Sequence, residues 1–159
     1  MSFLSYRFPH HQKIRNNRDR RAIVFIDSRL SNCDTLIQQV TLEARAIVIG
    51  LYSDGIKDIT NILNSSCCRE VYLVGTGSPG CMYLGNSELS FNTLIQYQSE
   101  LQSWFDPDLS HNFTSPKIFL YGCNIAAGDV GEESIAKLHA MTGAEIVASA
   151  DISRHEIFN

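Results

Sequence analysis

The sequence lacks any long apolar run. Its apolar stretches have the length of β-strands and fall well short of the ~18–20 residues that a membrane-spanning helix needs. The first 21 residues also lack the apolar stretch of a secretory signal. We therefore expect a cytoplasmic protein that has no transmembrane segment and is not exported by the Sec route.

Paired cysteines are missing as well. The five cysteines are odd in number, and no two of them have C-x-x-C spacing. An odd number argues against a closed disulfide framework, and the spacing argues against a zinc site. We expect reduced thiols, no bound metal and no cofactor. The cysteines are Cys33, Cys67, Cys68, Cys81 and Cys123.

Positive charge is scarce outside the N-terminus. Residues 1–21 carry six Lys or Arg and one acid, whereas residues 22–159 carry seven basic and sixteen acidic residues, a net charge of -9. This acidic balance argues against nucleic acid binding by the folded part of the chain. The length of 159 residues and the 44% hydrophobic content fit one folded domain. We expect a basic tail over residues 1–21 and a single domain over residues 22–159.

The basic tail interleaves aromatic and cationic side chains. Such a segment is often disordered, but it could also dock on an acidic protein, an anionic membrane or nucleic acid. We expect binding to a protein partner or a larger assembly, because a partner that orders aromatic side chains can offset the entropy lost by the chain. The candidate partner-binding residues are Phe3, Tyr6, Arg7, Phe8 and Arg15.

From residue 22 onward, short β-branched runs alternate with segments of helical period. This alternation predicts a mainly parallel sheet covered by helices. One helix is predicted over residues 91–104, with Leu94, Ile95, Leu101 and Trp104 buried. After the third strand, Gly85 and Asn86 separate two short strand-like pieces and predict a hairpin. The predicted strands span residues 22–27, 45–51, 70–75, 117–122 and 144–149.

The run from Gly75 to Gly80 formally matches G-x-G-x-x-G, a pattern that can wrap a dinucleotide pyrophosphate. Here the run follows the third strand and contains Pro79, and a hairpin is predicted where the phosphate-binding helix would begin. Glycines that serve as turn residues are the better interpretation. A nucleotide- or phosphate-binding domain remains a minor alternative.

Cys123 directly follows the fourth predicted strand and precedes a glycine-bearing turn. The carboxyl edge of a parallel sheet is where catalytic groups gather. A thiol there needs a base to form thiolate near neutral pH, because its ordinary pKa is ~8.5, and backbone amides of the turn could form an oxyanion hole. The alternative is a small buried side chain without chemistry.

Several segments together resemble a known family. It is a bacterial domain of unknown function found near the N-termini of large cyanobacterial and proteobacterial adhesin-like proteins, and it is similar to the caspase, gingipain and separase peptidases. The resemblance covers residues 22–152 and implies a caspase-like three-layer α/β sandwich, with a mainly parallel sheet, helices on both faces and a β-hairpin insertion after the third strand. The matching segments are residues 24–28, 71–80, 84–86, 94–104, 120–128 and 142–144.

The resemblance also implies a histidine–cysteine dyad, with the histidine in a His-Gly pair after the third strand. Cys123 matches the family cysteine, but Thr76 stands at the histidine position, before Gly77. A threonine hydroxyl does not titrate near neutral pH and cannot replace an imidazole base. Backbone amides of Gly77 and Cys123 would be the oxyanion donors. His155, after the fifth strand, is a candidate substitute base.

Two functional hypotheses follow from these residues. The first is a degenerate cysteine-peptidase-like domain that acts as a non-catalytic binding or assembly module. The alternative is an active caspase-like cysteine peptidase with Cys123 as nucleophile.

Overall fold

The computed structural model describes residues 22–107, 115–122, 124–149 and 157–158. A short 3-10 turn over Ile95–Tyr97 separates the third and fourth helices. In chain order the elements are β1 (Ala22–Asp27), α1 (Cys33–Gln39), β2 (Ala44–Ile49), α2 (Gly55–Asn64), β3 (Glu70–Val74), β4 (Gly77–Ser78), β5 (Cys81–Leu84), β6 (Ser87–Ser90), α3 (Phe91–Leu94), α4 (Gln98–Gln102), β7 (Lys117–Tyr121), α5 (Gly128–Thr142) and β8 (Glu145–Ser149).

The main sheet has five strands in the order β2-β1-β3-β7-β8, and every neighbouring pair is parallel. Its central strands consist almost entirely of buried residues, as expected for strands that are covered on both faces. β2 and β8 are the first and last strands of this order. The predicted α/β class with a parallel sheet is therefore confirmed.

The two faces of the sheet are covered by different elements. The first face packs against helices α2 to α5 and the hairpin, in a core that includes Ile56, Leu94 and Leu138. The second face packs against α1 and the described C-terminal residues Ile157 and Phe158. Helices on both faces give three layers, consistent with the caspase-like sandwich expected from the sequence.

Three aromatic rings stack on the second face. The rings of Tyr72 and Phe119 lie nearly parallel, with their centroids 4.4 Å apart, and the Tyr121 ring continues the stack. Tyr72 lies on β3 and the other two on β7, so the stack joins these two strands through their side chains. Burial is the largest cause that raises the pKa of Tyr72 above the ordinary value for a tyrosine, so this hydroxyl stays protonated.

The hairpin predicted after the third strand is present. β5 and β6 pair in antiparallel fashion, with Leu84 opposite Ser87, and Gly85 and Asn86 form the connection. Gly85 has a φ of 62°, a conformation that favours glycine. β4 adds a third short strand to this hairpin.

The helix predicted over residues 91–104 is interrupted by the 3-10 turn. Leu94, Leu101 and Trp104 are buried as expected, but Ile95 is 54% exposed, so its predicted burial is wrong. Leu94 and Ile95 are neighbours and point in directions about 100° apart on a helix, so Leu94 takes the core position. Trp104 is fixed by a hydrogen bond from its Nε1 to Thr60 Oγ1 (2.8 Å).

β1 has the predicted bounds, and each of the other four main-sheet strands differs from the predicted bounds by one or two residues at one or both ends. β2 ends at Ile49, two residues before the predicted end, so Leu51 and Tyr52 lie in an exposed loop. Within the described residues, no helix combines the length and the apolar character that crossing a membrane would require.

Candidate functional site

At the carboxyl edge of the sheet the strand order creates one crevice, and we also consider the junction between the ends of two neighbouring strands, which we call the second crevice. The first crevice lies between the ends of β1 and β3, where the strand order reverses direction, and the second lies between the ends of β3 and β7. Ligands of open parallel sheets bind at such an edge, most often where the order reverses. The two crevices are therefore the places to look for chemistry.

The hairpin fills the first crevice. Asp27, the last residue of β1, is fully buried, and its Oδ2 accepts a hydrogen bond from the amide of Gly85 (2.7 Å). The Oδ1 atom of Asp27 accepts from the amide of Arg29 (2.8 Å), and the Arg29 guanidinium donates to the carbonyl oxygen of Gly85. Asp27 and Arg29 thus hold the hairpin connection over the end of β1.

Backbone contacts close this crevice further. A Cβ atom on Gly75 would lie 2.8 Å from the carbonyl oxygen of Tyr83, so only glycine allows the hairpin to approach so closely. The amide of Tyr83 donates to the carbonyl of Thr76 (2.9 Å). The glycine-rich run therefore leads into a hairpin and not into a phosphate-binding helix, which argues against the nucleotide-binding alternative.

The second crevice is formed by backbone in direct contact. The β3–β7 register pairs Val74 with Tyr121, and the amide of Gly75 donates to the carbonyl of Tyr121 (3.1 Å). Gly122 has a φ of 89°, and a Cβ atom there would lie 2.7 Å from the carbonyl oxygen of Gly75. Thr76 emerges from β3 beside this contact.

The predicted site residues fall into two groups. Thr76 and Gly77 are exposed at the carboxyl end of β3, and Gly77 begins β4 opposite Met82. The predicted nucleophile Cys123 and the predicted substitute base His155 lie outside the described residues. The tail residues predicted to bind a partner, Phe3, Tyr6, Arg7, Phe8 and Arg15, lie outside them too.

No imidazole lies at this edge among the described residues. His139 is the histidine that they contain, and it lies in the last turn of α5. Its Nδ1 is 2.7 Å from the carbonyl oxygen of Ala144, the residue before β8 begins. Because β8 runs parallel to the other strands, its beginning lies at the opposite edge of the sheet. His139 is therefore remote from Thr76.

The loop after β7 is tied to the hairpin. The amide of Gly80 donates to the carbonyl of Ile125 (2.8 Å), and the Ser134 hydroxyl of α5 donates to the carbonyl of Gly80 (3.1 Å). Ser134 is buried. These bonds fix the outer wall of the second crevice relative to α5.

At the outward face of the hairpin, two exposed side chains lie close to one another. Tyr83 is 39% exposed, and the Arg29 guanidinium lies 5.7 Å from the centre of its ring. The charge of the neighbouring Cys81, followed by a hydrogen bond to it, is the main cause that raises the pKa of Tyr83 above its ordinary value. The hydroxyl of Tyr83 is therefore a neutral hydrogen-bonding group at physiological pH.

The contacts of Asp27, Arg29 and Tyr83 were not predicted from the sequence. The signal for Asp27 was present, because a carboxylate that ends a fully apolar strand needs buried partners. The partner, Gly85, is 58 residues further along the chain, and nothing in the local sequence identifies it.

The described part of the chain offers no group of three or more His, Cys, Asp or Glu side chains that could hold a metal ion. Every buried side-chain nitrogen or oxygen in that part has a hydrogen-bond partner. None of these atoms is therefore an orphan that a missing ligand would have to satisfy.

The comparison with family models gives one finding. The model of a domain of unknown function, DUF4347, matches residues 23–156. The matched region begins at the second residue of β1 and includes every later element through β8. No curated protein and no solved structure matches the chain.

Proposed function

The chain belongs to the DUF4347 family, whose function is unknown, and from that premise we propose that it is a degenerate cysteine-peptidase relative that binds a protein partner without catalysis. Its ancestry in this hypothesis is that of the caspase-like peptidases, which the sequence resembles. The alternative is an active peptidase with Cys123 as nucleophile. The test described below distinguishes this alternative from the proposal.

The observation that carries the proposal is Thr76 at the carboxyl end of β3. Its side chain is exposed, and it follows the backbone contact between Gly75 and Gly122 that joins the ends of β3 and β7. The family resemblance places the base for a thiol after β7 at this position. A threonine hydroxyl takes up no proton near neutral pH, so it does not generate a thiolate.

Asp27 does not substitute for the missing imidazole. It is the nearest carboxylate on the neighbouring strand β1, but it is fully buried and both of its oxygens accept backbone hydrogen bonds. Using it as a base would break the bonds that hold Gly85 and Arg29. Asp27 in the first crevice therefore stabilises the fold, and β1 provides no base to the second crevice.

The proposed partner surface is the outward side of the hairpin at the same edge. Arg29 and Tyr83 are exposed there and in cation–π range of one another. Arginine and tyrosine are the residue types that contribute most to protein interfaces, because both give large contact areas and directional hydrogen bonds. A rigid hairpin would hold them in place for a partner.

The test is the pH dependence of Cys123 alkylation by iodoacetamide, measured for each cysteine-containing peptide by mass spectrometry. We expect Cys123 of the natural protein to titrate as an ordinary thiol, with a pKa of ~8.5. In Thr76→His, an imidazole at the family position stabilises the thiolate, and the apparent pKa of Cys123 falls by at least about one unit.

Ser78→His is the matched control. Ser78 is also exposed and lies two residues further along, in β4, so its imidazole is displaced from the end of β3 and leaves the titration unchanged. A low pKa of Cys123 already present in the natural protein would contradict the proposal. Peptide cleavage that disappears in Cys123→Ala would establish the peptidase alternative.

A further inference from the structure

In the part of the chain that the structure describes, the outer edge of β2 is a sheet edge with little protection. β2 is the first strand of the sheet order and pairs with β1 on one side, and within the described residues no strand pairs with its other side. Natural edge strands are usually shielded by charge, proline or a bulge. β2 has one charged residue, Arg45, and no proline.

Exposed apolar side chains are concentrated at this edge. Of the eight large hydrophobic side chains that are exposed in the described part of the chain, four lie on β2 or in its flanking loops. Leu42 is 96% exposed before the strand, Val48 is 45% exposed within it, and Tyr52 is 88% exposed after it. None of the eight lies on β8, the strand at the other end of the sheet. Exposed apolar surface beside an unpaired strand edge favours the addition of a further strand there.

The sequence of the N-terminal segment fits that occupant. Residues 3–8 read Phe-Leu-Ser-Tyr-Arg-Phe, in which Leu4, Tyr6 and Phe8 alternate with Ser5 and Arg7. Within these six residues, the alternation runs over the five from Leu4 to Phe8, after Phe3, and alternation is the pattern of a strand with one apolar face. Pro9 follows directly and ends the pattern, because proline cannot donate to a β-ladder. The six residues equal the length of β2.

The second face of β2 suits such a strand. Ala44 and Ala46 are small and half-buried there, and Val48 on the same face is exposed. A neighbouring strand with large apolar side chains on that face would cover Val48 and extend the core that α1 covers.

Chain length allows the segment to reach the edge. The described chain begins at Ala22, which pairs with Ala44 at the start of β2. The thirteen residues from Pro9 to Arg21 can span roughly 40 Å when extended, about twice the length of a six-residue strand. The segment can therefore reach this edge either parallel or antiparallel to β2. The positive charge of residues 1–21 also complements the net charge of -9 on the rest of the chain.

From these observations we propose that residues 3–8 pair with the outer edge of β2 in the same chain and form a sixth strand of the sheet. This assigns the aromatic part of the N-terminal segment an intramolecular partner. The assignment goes beyond the proposed function and holds whether or not Cys123 is catalytic.

Hydrogen exchange of β2 tests the proposal in the full-length protein. In Tyr6→Pro, the proline removes a backbone donor from the centre of the proposed strand, and the amides of β2 exchange about tenfold faster or more than in the natural protein. Deletion of residues 2–8 gives the same acceleration. Gln12→Pro is the matched control, since it places proline in the same segment but outside the strand, and it leaves the exchange of β2 unchanged.

Two outcomes would overturn the proposal. Equal exchange of β2 in the natural protein, in Tyr6→Pro and in the deletion would mean that residues 3–8 do not occupy this edge. Protection of β2 that disappears on dilution of the natural protein would mean that the strand comes from a second copy and not from the same chain. Exchange of β3, a central strand, serves as the internal reference for intact folding.

Discussion

The two crevices at the carboxyl edge of the sheet both lie between the ends of neighbouring parallel strands, but their polar side chains are used differently. In the first, the carboxylate of Asp27 is buried and committed to the amides of Gly85 and Arg29. In the second, Thr76 is exposed beside the contact of Gly75 with Gly122. The difference teaches that position at a strand end does not by itself make a functional site. What decides is whether a neighbouring insertion, such as the hairpin, already binds the polar side chain at that strand end.

The largest difference between the crevices is expected on removing the side chain that each provides. Asp27→Ala leaves the amides of Gly85 and Arg29 without their acceptors, so we expect the free energy of unfolding to fall by about 3 kcal/mol. Thr76→Ala shortens an exposed side chain, so we expect a change below about 0.5 kcal/mol. Urea denaturation of both variants measures the comparison. Equal losses of unfolding free energy in the two variants would contradict the expected difference between the crevices.

A smaller effect is expected from the backbone of the second crevice. Gly122→Ala introduces a Cβ atom at a φ of 89° and against the carbonyl oxygen of Gly75, so we expect a loss of about 2 kcal/mol in unfolding free energy. Gly128→Ala is the control, because Gly128 has a φ of 67° but open space around its Cβ position. Its loss should be about 1 kcal/mol. A Gly122→Ala loss no larger than that of Gly128→Ala would show that the crevice tolerates separation of its strands.

The smallest expected effect is a loss of stability at alkaline pH, and it arises next to the first crevice. Tyr97 donates a hydrogen bond to Oδ2 of Asp54 (3.0 Å), and Asp54 also caps α2 and forms a bridge with Gly85. Burial, followed by the bond to Asp54, raises the pKa of Tyr97 from 10.0 to about 12. Because the folded state holds this proton more tightly, its contribution is complete below pH 10 and is lost as the pH rises toward 12.

Tyr97→Phe isolates that contribution. The difference in unfolding free energy between the natural protein and Tyr97→Phe should shrink by less than about 1 kcal/mol as the pH passes through this range, since the side chain is partly exposed. Urea denaturation of both proteins below pH 10 and at a pH near 12 measures this difference. Because other buried groups ionise identically in both proteins, a constant difference would contradict the assignment to Tyr97.

Much of the fold could be predicted because its signals are local. β1 has the predicted boundaries, and Asp54 caps α2 as its position before an amphipathic segment indicates. The glycine-asparagine connection of the hairpin is equally local, since Gly85 adopts a φ that suits glycine. The burial of Ile95 was predicted wrongly because the helical period says which residues share a face but not where a 3-10 turn rotates that face.

The candidate site was predictable only in part. Thr76 and Gly77 follow the third strand in the sequence, and the parallel sheet places them at the edge where ligands bind. The occupation of the first crevice was not predictable, because Arg29 and Asp27 meet Gly85 from positions more than fifty residues away in the chain. Such partners depend on how the hairpin packs after the strands have paired.

The sequence by itself determined the succession of strands and helices, the hairpin and the presence of threonine where the family resemblance implies a histidine. These follow from residue type and short-range periodicity, which act within a few residues of chain. Only the tertiary structure decided that Asp27 supports the hairpin, that His139 lies at the opposite edge and that β2 is the first strand of the sheet order. Those properties arise because strand order and packing bring distant segments together, and no local preference encodes which distant groups will meet.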